Sequence, residues 1–336
     1  MSIQNKVTYS EHTINLNANF QTALRSINSF LVHRIEIETP DGASAIAEVV
    51  STPAITRVTV DQVRSDVQEI LIPTLSKIEL KDSLSVYKKL EEVLPKNPTV
   101  RALGDLALHN LLDQTSEMVI KSDVTVPIAE IAKFPTLIDT RIASGFEVFK
   151  MKLGQQDLST NVQMVQKVQS LIPPTSALRI DPNQAWTVDY SIQFLEILDS
   201  NGIAIEYLEQ PIEKTDIVGL ATIRANTSTP IMADESCFSM NDLEEIISRG
   251  AADWVNIKIL KSGGVTPAKL LAIRAQEAGL KISFGCMIES PLGVRAAMEL
   301  AQQFAPNLTH DLDAAWWYPQ SELIYSEGMV KCSPQD

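Results

Sequence analysis

The chain has 336 residues, 45% hydrophobic and 21% charged, with a formal net charge of −14 and a sequence pI near 4.8. That length can bury a large core and suits one or two domains. The acidic balance speaks against nucleic acid or an anionic membrane as a partner, and it says nothing about fold.

The first residues, MSIQNKVTYSEHTINLN, carry no apolar signal core, and no stretch approaches the roughly 18 apolar residues of a membrane helix. Residues 1–123 read as a separate α+β module. An N-terminal strand leads into FQTALRSINSF. FLVHRIEIETPDG alternates apolar and polar residues as a half-buried strand does, ends in an Asp-Gly turn, and has AIAEVVS as its hairpin partner. VRSDVQEILIPTL has the spacing of an amphipathic helix, and DSLSVYKKLEEVL and TVRALGDLALHNLLDQ form a further helix pair. From residue 124 the pattern changes to alternating strand and helix, which predicts α/β. The strand candidates are VTVPIAEI, EVFKMKLG, ALRIDPN, AIEYLEQP, PIMADES, DWVNIKIL, KISFGCMI and NLTHDLD. Seven helical stretches, several ending in Gly, serve these eight strands. Residues 124–314 therefore read as a β/α barrel, and the segment 315–336 returns to pack on the first module.

Charged residues stand at the strand ends. Lys152 to Asp181 is 29 residues, Asp181 to Glu209 28, Glu209 to Asp234 25 and Asp234 to Lys258 24, each about one βα unit. In a barrel such ends converge on one face. Three acids converging unpaired would repel one another. A hard cation removes that cost, and an all-oxygen set suits Mg²⁺, with Mn²⁺ as the alternative. The competing reading is that each acid caps the next helix or pairs with a surface lysine. Lys150 and Lys152 alternate on one strand and so share a face. A partly desolvated lysine beside a cation has a lowered pKa and serves as a base. Lys152 and Lys258, on opposite sides of the barrel, would flank a substrate carbon held over the metal, the arrangement for a 1,1-proton transfer. Alternatively, both lysines merely pair with the acids. Asp311 and Asp313 share a face, and a substrate ammonium is their natural partner. Helix capping is the other reading. His310 is expected to be structural, Cys237 and Cys286 to be packing residues, and KSGGV to be a turn. Cys237, Cys286 and Cys332 are odd in number and form no CxxC, which suits a reducing, cytoplasmic setting.

These motifs resemble the enolase superfamily, in its muconate-lactonising-enzyme subgroup, and within it the dipeptide epimerases. KMKLG resembles the KxK strand. RIDPNQAW, YLEQP and MADES resemble the metal-ligand strands, and NIKILKSGG resembles the second-base strand. HDLDA resembles the DxD motif, GCMIES the seventh-strand substrate loop, and FQTALR and AEVVSTPAIT the two loops that close over the site. The resemblance implies an α+β capping domain on a modified (β/α)7β TIM-like barrel. It implies Mg²⁺ on Asp181, Glu209 and Asp234, with Lys152 and Lys258 as acid/base catalysts. Lys150 assists at the substrate carboxylate, Asp311 and Asp313 hold the ammonium, and Thr125, Cys286 and Ile288 line the substrate. Arg25 falls where an arginine can pair with a glutamate side chain. The segment SEMVIKSD is shorter than usual for the family, and the chain ends soon after SEGMV.

The implied activity is Mg²⁺-dependent epimerisation of L-Ala-D/L-Glu or a related dipeptide, as in murein peptide metabolism. The expected partner is thus a small molecule, and a homo-oligomer stays open. The alternatives are an N-acylamino acid racemase or o-succinylbenzoate synthase, whose substrates lack the charged nitrogen that Asp311 and Asp313 await, a Schiff-base aldolase, and a non-catalytic protein that keeps the metal.

Overall fold

The computed structural model describes residues 4–112, 117–318 and 321–332. The chain starts as a long meander. Strand β1 (Lys6–Gln21) pairs antiparallel with β2 (Ser26–Glu38), and β2 with β3 (Ser44–Val50). The β1–β2 register runs from Lys6 opposite Glu38 to Gln21 opposite Ser26, with a shift between Asn15 and Phe20. FQTALR is therefore the tip of a hairpin: Thr22 N donates to Arg25 O across residues 22–25. A run of short helices follows, α1 (Pro53–Thr56), α2 (Val60–Asp66) and α3 (Ile72–Leu75). The single helix expected from VRSDVQEILIPTL is continuous from Val60 to Leu75, with a π-type turn over Val67–Leu71 inside it. Thr59 and Gln62 form a capping box at the start of α2. Helix α4 (Ser83–Val93) is capped by Asp82, and α5 (Pro98–Leu112), buried at Thr99, Val100 and from Ala102 to His109, packs on β3.

Strand β4 (Met118–Lys121) begins within the SEMVIKSD segment, whose Ser116 lies outside the described residues. The parallel sheet comprises β5 (Val124–Val126), β6 (Val148–Lys152), β7 (Ala177–Asp181), β8 (Leu208–Glu209), β9 (Ile231–Ala233), β10 (Trp254–Lys258) and β11 (Lys281–Gly285), in sequence order. Helices α6 (Phe134–Ala143), α7 (Leu158–Leu171), α8 (Val188–Ser200), α9 (Ile217–Ala225), α10 (Met240–Arg249), the short α11 (Ile259–Ser262), α12 (Val265–Glu277) and α13 (Pro291–Phe304) connect the strands. This is the α/β barrel architecture, with one correction to the strand count. The eighth candidate, NLTHDLD, is reduced to two isolated parallel bridges, His310 with Ser122 and Asp311 with Gly285. Its backbone bonds still reach both neighbours: Asp123 N donates to His310 O, and Asp311 N donates to Phe284 O. Extended pairing ends there because Asp313 already enters a 3₁₀ turn, Ala314–Trp317. The first candidate strand is likewise cut short at Pro127, which has no N–H to give.

Within residues 315–336, β12 (Ile324–Ser326) and β13 (Met329–Cys332) form a three-stranded sheet with β4, and residues 319–320 and 333–336 lie outside the described set. Tyr318 packs on Phe30 and Trp317 on Phe20, so this segment touches the N-terminal meander. Among the described residues no helix is long and apolar enough to cross a membrane.

Candidate active site

Parallel register decides which side chains share a level inside the barrel. Thr125 is level with Lys150, Lys150 with Arg179, and Lys152 with Asp181. The lower level is ionic. Arg179, fully buried, donates to Asp123 (2.7 Å) and Glu206 (2.7 Å) and stands over the Tyr207 ring. Beside it on the neighbouring strand lies Lys150, also fully buried, with its ammonium 2.7 Å from Glu209, 2.8 Å from Asp311 and 3.4 Å from Asp181. Nearest the mouth, Lys152 pairs with Asp181 and Lys258 with Asp234 at 2.9 Å.

The three carboxylates do converge, but they are not unpaired. Each one faces an ammonium group. Among the described residues no three His, Cys, Asp or Glu stand ready-made around a point that could hold a metal ion. Burial opposes the charge on Lys258, but Asp234 and Asp311 outweigh it and hold the pKa above the ordinary lysine range. Lys150 behaves in the same way against Asp311, Glu209 and Asp181. Burial also acts against the charged forms of Asp234 and Asp311. Lys258 and Lys261 nevertheless hold Asp234 below the usual range, and Lys150 and Lys258 do the same for Asp311.

Over this ionic layer lies a narrow cleft of about 40 Å³. Lys152, Lys258, Asp234, Asp311 and Asp313 line its floor. Thr125, Cys286 and Ile288 line its wall, Phe20 and Arg25 come from the β1–β2 hairpin of the N-terminal meander, and Ile55 comes from α1. Of the site residues predicted from sequence, Asp181, Glu209 and Lys150 lie beneath the cleft, and all the others border it. Asp311 and Asp313 differ in their commitments. Asp311 Oδ2 accepts from Lys150 (2.8 Å) and Asn256 (3.2 Å). Asp313 Oδ2 accepts from Thr125 N (2.7 Å) and Trp317 Nε1 (3.1 Å), and burial, then the charge of Asp311, pushes its pKa up. Arg25 is half-buried without a side-chain hydrogen bond or ion pair among the described residues, and burial lowers its pKa to about 10.

Several contributors escaped the sequence reading. Lys261, fully buried, donates to the carboxylate (2.6 Å) and carbonyl of Asp234 and to Asn256 O (2.9 Å). The second lysine of KILKSGG was the available signal. Asn256 donates to Glu209 Oε1 (2.9 Å). Glu235, next to Asp234, is pushed up to about 8 by burial, then by Asp234 and Asp181. His310 is structural: Phe284 N donates to its Nδ1, its Nε2 meets Ala305 O, and burial lowers its pKa to about 4. Cys237 and Cys286 are buried free thiols.

The oxygens fit a hard divalent ion in chemistry. Glu209 Oε2, Glu235 Oε2, Asn183 Oδ1 and Asn256 Oδ1 are buried without a hydrogen-bond donor, although Glu209 Oε2 keeps its ion pair with Lys150. Buried oxygens left in that state await a cation or a donor.

Comparison with known proteins shows the family and the fold. The model of the enolase C-terminal domain-like family matches residues 134–332. The L-Ala-D/L-Glu epimerase of Francisella tularensis subsp. novicida is 30% identical over 331 residues, 94% of this chain and 90% of that protein. The substrate-liganded complex of the L-Ala-D/L-Glu epimerase from Bacillus subtilis superposes with a TM-score of 0.92 at 26% identity, covering 100% of this chain and 97% of that one. The dipeptide epimerase of Enterococcus faecalis V583, complexed with Mg and L-Leu-L-Tyr, gives a TM-score of 0.89 at 26% identity, with 99% and 98% covered.

Proposed function

The chain belongs to the enolase C-terminal domain-like family and is an isomerase of the epimerase or racemase kind, and on that premise we propose that it epimerises a dipeptide with an acidic second residue. The observation that carries this reading is one cleft bordered by two lysines, a carboxylate and a free guanidinium: Lys152 and Lys258, Asp313, and Arg25. Each group answers to one part of an Ala-Glu molecule. The α-carbon of the second residue lies between the lysines. Lys152 or Lys258 takes its proton, and the other returns one to the opposite face. Lys258 pairs with Asp234 at 2.9 Å and Lys152 with Asp181, so each lysine is held beside the cleft by a carboxylate. Asp313 receives the terminal ammonium, and Arg25 pairs with the side-chain carboxylate. Thr125, Cys286 and Ile288 border the backbone of the substrate, and Lys150, on this reading, supports its reacting carboxylate.

Asp181, Glu209 and Asp234 would hold Mg²⁺, or Mn²⁺ in its place, with Asn183 and Glu235 supplying further oxygens nearby. Such an ion, when bound, offsets the negative charge that builds on the substrate carboxylate as its α-proton leaves. The E. faecalis neighbour with Mg and a dipeptide supports this reading. The three free cysteines support the cytoplasmic setting that forms part of it.

The rival is a racemase of N-acylated amino acids. It has no use for Asp313, because an acylated nitrogen carries no charge. Exchange of the α-proton in D₂O, measured by NMR across a dipeptide set with Mg²⁺ present, tests the reading. Exchange in L-Ala-L-Glu that stops with EDTA and returns with Mg²⁺ is expected. Exchange in N-acylamino acids with none in any dipeptide would overturn it.

A further inference from the structure

Trp317 belongs to the AAWWYP stretch that directly follows the Asp311–Asp313 pair, and nothing in the proton transfer calls for it. It is 4% exposed and sits where three elements meet. Its indole Nε1 donates to Asp313 Oδ2 at 3.1 Å. The same oxygen accepts from Thr125 N at 2.7 Å. Two fixed N–H donors on one oxygen set the plane of the carboxylate, and Asp313 as a whole borders the cleft. The indole ring is also gripped from two sides. The Arg141 guanidinium lies 5.4 Å from its centroid and donates through Nε to Thr125 O at 2.9 Å. Phe20, at the tip of the β1–β2 hairpin, meets it edge-on with centroids 4.9 Å apart and an interplanar angle of 84°. Close to Phe20, the hairpin tip makes a backbone bond to the barrel, from Ile128 N to Gln21 O at 3.2 Å.

We infer that Trp317 is a positioning residue for recognition of the substrate amine, coupling the seating of the hairpin tip to the orientation of Asp313. The ring registers whether Phe20 is seated, and the indole N–H passes that position to the carboxylate. Arg141 ties the indole and the Thr125 backbone into one rigid bracket. Phe20 and Arg25 lie on the same hairpin tip, so the groups that would take the two charged ends of the substrate are mechanically linked. This inference rests on the proposed dipeptide reading and adds to it a residue outside the reacting set.

The test compares dissociation constants of L-Ala-L-Glu and N-acetyl-L-Ala-L-Glu by calorimetry, for the wild type and for Trp317→Phe, with α-proton exchange measured alongside. Phe keeps an aromatic ring for Phe20 and removes the N–H together with part of the indole ring, a loss of packing that both ligands feel alike. The wild type is expected to favour the free amine. Trp317→Phe should shrink that preference about tenfold, the scale of one hydrogen bond to a charged group, and should raise KM far more than it lowers kcat. A merely structural role would weaken both ligands in proportion and leave the preference unchanged, which overturns the inference. If Trp317→Phe does not fold, Phe20→Leu serves instead. Losing the edge-on aromatic contact should shrink the same preference about threefold, and an unchanged preference again overturns the inference. A wild type that exchanges L-Ala-L-Glu while Trp317→Phe keeps its full preference refutes the bracket alone. A wild type that exchanges no dipeptide removes the functional reading, and the bracket with it.

Discussion

Replacing Arg25 with Met tests the part of the substrate assignment that depends most on one residue. The guanidinium is half-buried at the cleft, with no hydrogen bond or ion pair among the described residues. Burial lowers its pKa only to about 10, so it is charged at pH 7. The cost of desolvating this cation is already met in the folded protein, without a carboxylate to offset it. A substrate carboxylate that reaches it forms a charge-assisted bond worth about 1.5–3 kcal/mol. At about 1.4 kcal/mol per tenfold, Arg25→Met should lower kcat/KM for L-Ala-L-Glu by about 10- to 150-fold. The same change should leave L-Ala-L-Leu unaffected or slightly improved, because an apolar side chain gains an apolar neighbour. Thermal stability should hold or rise, since an unpaired buried charge has gone. Steady-state kinetics on both substrates, with a melting curve, would settle it. An equal loss on the two dipeptides refutes the reasoning, as does a wild type that prefers hydrophobic second residues.

Three further outcomes are expected. Lys258→Met should lower turnover by about 10²–10⁴-fold, the usual reach of one acid/base group, yet leave the protein folded, because Lys261 still neutralises Asp234. Wash-out of α-deuterium from each epimer separately should then be blocked in one direction more than in the other. Gly264→Ala should cost about 2–4 kcal/mol of stability in urea, with an unchanged m-value. Its φ of +142° is closed to alanine, and the new Cβ would lie 2.4 Å from the Asp105 oxygen that accepts from Thr266 N. The pH dependence follows from His310, which burial keeps neutral down to about pH 4 against 6.5 when free. Below pH 6.5 the unfolded chain binds a proton that the folded chain refuses, so stability falls as pH drops, by about 2 kcal/mol between pH 6.5 and 5. Urea midpoints for wild type and His310→Asn should converge as pH is lowered; equal pH slopes would remove this assignment.

The local pattern was enough to locate most of the site. Charged residues recurring once per βα unit, from Lys152 through Asp181, Glu209 and Asp234 to Lys258, have to emerge at one end of a parallel barrel, because each unit returns the chain to the same face. The two-residue period on β6 sent Lys150 and Lys152 inward together. The eighth strand was less legible, because NLTHDLD has a strand's composition but keeps only the bridges around His310 and Asp311 before it turns. Partner choice was not legible at all. Lys150 joins Asp311 across 161 positions of sequence, and no periodicity reports which of four carboxylates an ammonium will meet. Lys261, Asn256 and Trp317 act through hydrogen bonds to site residues, and such bonds exist only once the barrel has closed. What the sequence determined by itself was therefore the set of charges and the face they share, since both follow from chain period. What only the tertiary structure decided was how those charges divide among one another and that Arg25, far away in the chain, has no side-chain partner among the described residues, since both depend on distances that closure alone sets.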